Sequence, residues 1–344
     1  MVITTKIIRW AVIGAGGIAD RRMIPALLKD PDNQLVAVMD KNPETAERIA
    51  KKYGVNAWFS DEETMLSAID CDAVYIGTPV FCHYQQAMTA LKHGVNVFME
   101  KPIAMNEKEG EALVKAFRKK GKQLTIGYMM PLHNLHVKTK NLVKRGKLGQ
   151  VNNVRAQFSC WYPDIPGAWR QKKSLGGGGC VMDLAVHCID LIQNILGEKI
   201  VEVKSFLATN TFSYEVEDSG LIAFRTASGC LGHIDVNFNV PDDCSVSRLE
   251  LYGTKGSVYA EGTLGQEETG KLRYVYAPQG DYDATQSRVR AKATTYYGAK
   301  GNLYLKQAQA FCALLKAGKT DYTSAENATY IQGLCDKIYK GNTK

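Results

Sequence analysis

Ile7-Ile8-Arg9-Trp10-Ala11-Val12-Ile13-Gly14-Ala15-Gly16-Gly17-Ile18-Ala19 decides the fold of this chain. Ile7 to Ile13 has the β-branched, apolar make-up of a buried strand. It passes straight into a glycine run, after which Ile24, Leu27 and Leu28 recur at helical spacing. Strand, tight turn and helix in this order form the unit that holds a dinucleotide pyrophosphate. Gly14 permits the turn, Gly16 lets the backbone approach a phosphate, and Ala19 stays small where helix meets strand. The helix N-terminus faces the negative charge. A turn without a ligand would need no second strand ending in an acid. Here Leu35 to Met39 ends at Asp40, where a carboxylate is placed for a ribose hydroxyl pair. The expected dinucleotide contacts are Gly14, Ala15, Gly16, Gly17, Ile18, Asp40 and Lys41. Asp40 repels a 2′-phosphate and so favours NAD, while Lys41 pulls the other way and leaves NADP open.

Working outward, Asn42-Pro43 opens a helix running from Glu44 to Tyr53, which Gly54 closes. Ala73 to Ile76 is a strand that delivers Thr78-Pro79 to the edge where parallel sheets bind ligands. His83 stands at the start of the next helix, either against the cofactor or capping a turn. Asn96 to Met99 delivers Glu100-Lys101-Pro102 to the same edge. Asn106 and Glu109 have the form of a capping box, and the helix they begin ends at Gly121. Gln123 to Gly127 is a sixth strand. Tyr128-Met129-Met130-Pro131 breaks the rhythm, which puts a dinucleotide-binding domain at 1–127 and a second domain at 128–344.

After a helix over Leu135 to Arg145, the period changes to two. Strands are expected at Val151–Trp161, Glu202–Thr211, Leu221–Phe224, Leu231–Val240, Arg248–Tyr252 and Ser257–Ala260, with helices near Leu303–Ala317 and Ser324–Tyr339. The fold class is α/β: a doubly wound parallel sheet, then an α+β domain with an open, mostly antiparallel sheet.

At 344 residues, two domains are the natural division. No apolar run in the sequence approaches a membrane span. The nine cysteines are odd in number and include no Cys-x-x-Cys pair. This points to a reducing, cytoplasmic setting and away from disulfides or structural zinc. The net charge of +8 gathers at Lys115–Lys122, Lys138–Lys147 and Arg170–Lys173. No nucleic-acid motif accompanies these patches, so they read as solvated helix faces, with some attraction for an anionic ligand.

A second glycine tract, Gly176-Gly177-Gly178-Gly179, precedes a helical period through Val181, Leu184, Ile189, Ile192 and Leu196, with Gly197 as the stop. Asp183 and His187 stand four apart on one helix face, an arrangement suited to acid–base chemistry. The plainer alternative is an acid at a helix N-terminus beside a core histidine. A metal set of Cys180, Asp183, His187 and Cys188 is a weaker rival, so no metal is expected. Cys188 and Cys160 read as packing residues.

With these residues in view, the chain resembles the glucose–fructose oxidoreductase / inositol dehydrogenase / MocA family over nearly its full length. The resemblance rests on the first glycine run, Thr78-Pro79, Glu100-Lys101-Pro102, Trp169-Arg170 and the Gly176 to Leu191 tract. It implies hydride exchange between a nicotinamide cofactor and one carbon of a sugar, polyol or related ring. Lys101, Asp183 and His187 would be catalytic, with Trp169 and Arg170 near cofactor and substrate. Tyr128 and Tyr162 are further substrate-side candidates. His187 is the expected base, Asp183 its orienter or the holder of a neighbouring hydroxyl, and Lys101 the donor to the reacting oxygen. Lys101 as the base, made so by burial and a neighbouring positive charge, stays open. A redox-neutral glycoside-cleaving enzyme and a non-catalytic NAD(P) sensor are the alternatives. The stretch before Ile7 is expected to be too short to fold over a bound dinucleotide, which favours net dehydrogenation. A homodimer or homotetramer through the open sheet is also expected, since relatives commonly assemble in that way.

Overall fold

The computed structural model describes residues 6–277, 280, 282, 284–285 and 291–341. The chain divides into two compact units. One comprises Met1–Tyr128, Ser174–Gly177 and Tyr304–Gly333, the other Met129–Lys173, Gly178–Leu303 and Leu334–Lys344.

In the first unit β1 (Ile8–Ile13) leads through the glycine turn into a π-helical turn, Ala19–Met23, and then α1 (Ile24–Leu27). The alternation continues with β2 (Asn33–Met39), α2 (Pro43–Tyr53), β3 (Trp58–Phe59), α3 (Glu62–Ala68), β4 (Ala73–Ile76), α4 (Val80–Lys92), β5 (Asn96–Glu100), α5 (Glu107–Lys120) and β6 (Leu124–Gly127). The strands form one parallel sheet in the order β3-β2-β1-β4-β5-β6. The order reverses between β1 and β4, which opens the ligand crevice at the strands' C-terminal edge. Local chemistry sets the helix ends as expected. Asn42 accepts from the amides of Glu44 and Thr45, and Gly54 closes α2 in the left-handed region. Asn106 caps α5 through the Glu109 amide, while Glu109 reaches back to the amide of Met105.

The second unit begins with α6 (Asn134–Lys144) and β7 (Val151–Ser159). The short α7 (Lys173–Gly176) belongs, from Ser174 on, to the first unit; in the second, a π-helical turn, Val181–Ala185, continues into α8 (Val186–Leu196). The strands β8 (Ile200–Ala208), β9 (Ser219–Thr226), β10 (Leu231–Asn237), β11 (Arg248–Gly253), β12 (Gly256–Glu261), β13 (Lys271–Tyr276) and β14 (Lys292–Tyr297) complete an eight-stranded sheet. Its order is β14-β13-β12-β11-β7-β10-β9-β8, antiparallel except where β10 runs parallel to β7. The pleat separates its two faces. Val154, Ala156, Ile222, Phe224, Ile234, Val236, Leu249, Leu251, Val258 and Ala260 point inward and are buried. The register places Phe206 beside Leu221, and Leu231 beside Arg225, on the other face. There Phe206 is 79% exposed.

Two helices close the chain, α9 (Leu303–Lys316) and α10 (Thr323–Lys340). Here the expected boundary needs correction, because residues 304–333 belong to the first unit. Phe311 stacks on Phe98 and meets Trp10 at 5.1 Å, in a cluster with Tyr304, Ala308 and Cys312. Gln123 exchanges hydrogen bonds with the backbone of Asp321. The sheet's apolar surface is thus covered by a segment from the far end of the sequence. Leu28, expected on the apolar side of the first helix, is 42% exposed at its end. The stretch Lys173–Leu196 is long and apolar enough to cross a membrane by length and composition, although no such run was evident in the sequence. Within the fold 83% of its apolar window is buried, as in a core helix.

Candidate active site

The first unit gathers its expected residues along the sheet edge. Gly14 adopts φ +78°, and a β-carbon there would lie 2.6 Å from the Thr78 methyl. The turn therefore demands glycine both for its backbone and for the close approach of the β4 loop. The Gly16 amide donates to Asp40 Oδ2 at 3.0 Å, and the Asn42 amide to Oδ1 at 3.1 Å. Asp40 thus braces the glycine loop while remaining part-exposed at the end of β2. A side chain at Gly17 would meet no protein atom within 4 Å, so the loop's outer surface is open to a phosphate. Together these features fit a dinucleotide.

Thr78 donates to Gln86 at 2.6 Å. His83, expected as a cofactor contact or a turn cap, is 1% exposed, with its ring nitrogens 2.7 Å from the Pro102 carbonyl and 2.9 Å from that of Thr78. It clips the loop after β4 to the loop after β5. Glu100 accepts from the buried Tyr75 hydroxyl at 2.7 Å, which fixes the end of β5. Lys101, part-exposed, follows directly. Tyr128 is buried just past β6, its amide bonded to the Ile126 carbonyl.

The second unit gathers another set. The Arg170 guanidinium stands 3.4 Å from Asp183 Oδ1 and 4.2 Å from the Trp169 ring centre. Burial raises the Tyr162 hydroxyl above its usual range, opposed by a hydrogen bond with Arg170, and Asp183 is also near. Asp183, Arg170, Trp169 and Tyr162 therefore form one cluster. His187 follows one turn along and is 5% exposed. Asp183 lies in the π-helical turn and His187 in α8. π-Turns often mark functional positions in helices.

The glycine tract before this helix serves a purpose that the sequence reading missed. A β-carbon on Gly178 would lie 1.8 Å from the Tyr339 hydroxyl, and one on Gly179 would lie 2.0 Å from the Glu217 carbonyl oxygen. These glycines make room for the protein's own atoms, not for a ligand. Glu217 Oε1 accepts three hydrogen bonds: from the Gly179 amide at 2.9 Å, the Val181 amide at 3.0 Å and the Tyr339 hydroxyl at 2.8 Å. Its carbonyl also accepts from the Cys180 amide at 3.1 Å. The acid thus buckles the start of the Asp183–His187 helix to β9 and the end of α10. Burial holds its carboxyl above the usual range despite these donors. The only sequence signal was the crowding implied by consecutive glycines.

Burial pushes the Cys180 and Cys188 thiols well up, as befits packing residues. Among the described residues, no group of three or more His, Cys, Asp or Glu side chains is placed to hold a metal ion.

Comparison with known proteins agrees with this geometry. Residues 8–128 match the oxidoreductase family with an NAD-binding Rossmann fold, and residues 136–259 match the GFO/IDH/MocA C-terminal domain. The D-glucoside 3-dehydrogenase of Escherichia coli (strain K12) is 32% identical over 364 residues, covering 98% of this chain and 96% of that protein. The scyllo-inositol 2-dehydrogenase (NAD(+)) of Bacillus subtilis (strain 168) is 24% identical, covering 94% and 90%. A structure of levoglucosan dehydrogenase in complex with NADH and levoglucosan shares the fold, with a TM-score of 0.85 at 21% identity over 98% of this chain and 97% of that one. With both domains matched and the likeness full-length, the chain belongs to the Gfo/Idh/MocA family and is an NAD(P)-dependent oxidoreductase.

Proposed function

We propose that the protein is a dehydrogenase or reductase of a secondary hydroxyl or ketone on a sugar, polyol or glycoside, with Lys101, Asp183 and His187 carrying the chemistry and NAD(H) preferred. The Arg170–Asp183 pair one turn before His187 is the observation that carries this reading. A nicotinamide dinucleotide held by the glycine loop supplies the hydride acceptor or donor. In the oxidising direction His187 takes the hydroxyl proton. Lys101 donates to the same oxygen and stabilises the charge that develops there. The Arg170 guanidinium, 3.4 Å from Asp183 Oδ1, orients that carboxyl to accept from a neighbouring hydroxyl. Lys101 as the base is the competing assignment.

The preference for NAD rests on Asp40, whose carboxylate is fixed at the end of β2. The residues that would form an arm before Ile7 lie almost entirely outside the described residues. The test is a panel of sugars, polyols and glycosides with NAD and NADP, read at the nicotinamide absorbance. Stoichiometric NADH in free solution supports net dehydrogenation. Aglycone release with catalytic NAD and no NADH accumulation would transfer the reading to redox-neutral cleavage.

Self-association through the open sheet belongs to the same reading. Val201, Phe206, Leu221 and Leu231 lie exposed on β8, β9 and β10, and Arg155 stacks on Tyr252 farther along the sheet. Exposed apolar side chains mixed with aromatics and arginine suit an isologous interface. A monomeric mass at micromolar concentration would remove this part. A reducing, cytoplasmic location is supported by nine cysteines that form no disulfide, and cell fractionation tests it.

A further inference from the structure

His83 stands in the first turn of α4 and is buried, yet both of its ring nitrogens face carbonyl oxygens. Nδ1 lies 2.7 Å from the Pro102 oxygen, and Nε2 lies 2.9 Å from the Thr78 oxygen. A carbonyl oxygen can only accept a hydrogen bond. A neutral imidazole carries one N–H, so it satisfies one of these oxygens and turns a lone pair toward the other. Only a ring protonated on both nitrogens donates to both. Two effects oppose the second proton: the ring is sealed from water, and the N-terminal end of a helix disfavours a cation. Against them stand two short charge-assisted hydrogen bonds in place of hydration. Both carbonyls belong to loops that could relieve a lone-pair clash by parting, and both instead stay at hydrogen-bond distance.

These contacts form a line from the glycine turn to Lys101. A β-carbon on Gly14 would lie 2.6 Å from the Thr78 methyl, so the turn and the loop after β4 press together. The Thr78 hydroxyl donates to Gln86 at 2.6 Å, one turn along α4 from His83. The Thr78 carbonyl meets Nε2 of His83, and Nδ1 meets the carbonyl of Pro102, the residue after Lys101. On the other side of Lys101, Glu100 accepts from the buried Tyr75 hydroxyl at 2.7 Å. Lys101 therefore sits between two anchored neighbours, and His83 supplies one of the anchors.

We propose that His83 is a positioning residue in the form of a buried imidazolium, whose two N–H groups hold the Lys101 loop against the Thr78 loop. The inference deepens the reading of Lys101 as a group that carries the chemistry, and rests on it. A ring with a single proton would grip one loop and repel the other. The loop after β5 would then shift, and Lys101 with it.

The test is nitrogen NMR of the histidine rings in the protein with NADH bound, at about pH 7.5, where a free imidazole of pKa about 6.5 has lost its second proton. Both His83 nitrogens should show the shift of a protonated ring. One protonated and one bare nitrogen would overturn the proposal. Assignment through the parent's own backbone resonances makes this count independent of whether any variant folds. His83→Gln, whose amide donates from a single nitrogen, serves one carbonyl only. It should lower kcat by about ten- to a hundredfold through a displaced Lys101, and NADH affinity by a smaller factor. In a Lys101→Ala background the same change should cost almost nothing further, because the group it positions is gone. Equal losses in the two backgrounds would overturn the role toward Lys101 and leave a structural clip. With no substrate turned over by the parent, a doubly protonated ring would keep the imidazolium and remove the proposed reaction. A neutral ring would remove the imidazolium whatever the activity.

Discussion

Replacing Glu217 by alanine should destabilise the second unit and misplace the Asp183–His187 helix together. The substitution strips the acceptor from the Gly179 amide, the Val181 amide and the Tyr339 hydroxyl, at a position only 8% exposed. Each orphaned buried donor costs about 1–3 kcal/mol, roughly 3–9 kcal/mol if the three were independent. They share one oxygen, so the sum is not additive. A water entering the space would satisfy some of the donors, and removing a carboxyl that burial disfavours gives a little back. The expected net loss is about 3 kcal/mol, a large share of a domain's typical stability. Tyr339→Phe removes one donor and should cost about 1 kcal/mol, while Glu217→Gln keeps an accepting oxygen and should cost less.

Urea unfolding at constant m measures these steps. Turnover of folded protein should fall by up to about a hundredfold in Glu217→Ala, because a shift near 1 Å is enough for that loss, while NADH affinity holds. The sign of the pH dependence adds a check. A carboxyl raised on folding contributes stability that is complete below its unfolded value, 4.5, and is lost as pH rises through the folded value. The Glu217→Gln protein, whose amide at this position never ionises, should therefore gain on the parent as pH rises from 4 toward 7. A Glu217→Ala protein within about 0.5 kcal/mol of the parent, or one with full turnover, would refute the buckle.

His136 predicts acid instability. It is 1% exposed, with Nδ1 2.7 Å from the Met130 carbonyl and Nε2 3.0 Å from the Thr263 hydroxyl, and burial pushes its pKa down to about 3. Its stability contribution is full above pH 6.5 and is lost as pH falls toward 3, by on the order of 4 kcal/mol; His136→Gln should flatten that limb of a pH-dependent denaturation series. Asp40→Ser should narrow the gap between NADH and NADPH binding by titration, and NADPH binding tighter to the parent would overturn the preference for NAD. Lys101→Ala, Asp183→Ala and His187→Ala should each reduce turnover by about a hundredfold or more with cofactor affinity nearly unchanged; near-normal turnover in His187→Ala alone would make Lys101 the base.

The sequence was most legible where structure is local. The strand, glycine turn and helix from Ile8 to Leu27, the Asn42 and Asn106 caps and the Gly197 stop all follow from neighbours a few residues apart. Lys271–Tyr276 and Lys292–Tyr297 were not read as strands: the second is exposed with almost no alternation at the sheet edge, and the first fully buries only Leu272. The parallel pairing of β10 with β7 also escaped, since hairpin patterns report only antiparallel neighbours. The docking of Phe311 on Trp10 and Phe98 joins opposite ends of the chain, beyond any periodicity. At the site, motifs pointed to Lys101, Asp183 and His187 as candidates. Glu217, 38 residues from Gly179, and Tyr339, 122 residues from Glu217, left only the glycines they crowd as a trace.

The two glycine tracts share a construction. In each, an acid remote in sequence accepts backbone amides of the tract, and a π-helical turn comes next: Asp40 on Gly16 before Ala19–Met23, Glu217 on Gly179 and Val181 before Val181–Ala185. Exposure makes the difference. Asp40 is part-exposed beside a loop whose outer surface is clear, so one carboxylate can brace the turn and still meet a ribose. Glu217 is sealed beneath Tyr339 and the strand it leads into, so it can act only through the helix that it holds. A glycine run therefore shows that something comes close to the backbone, and the burial of the acid that braces it decides whether that neighbour is a ligand or the protein itself.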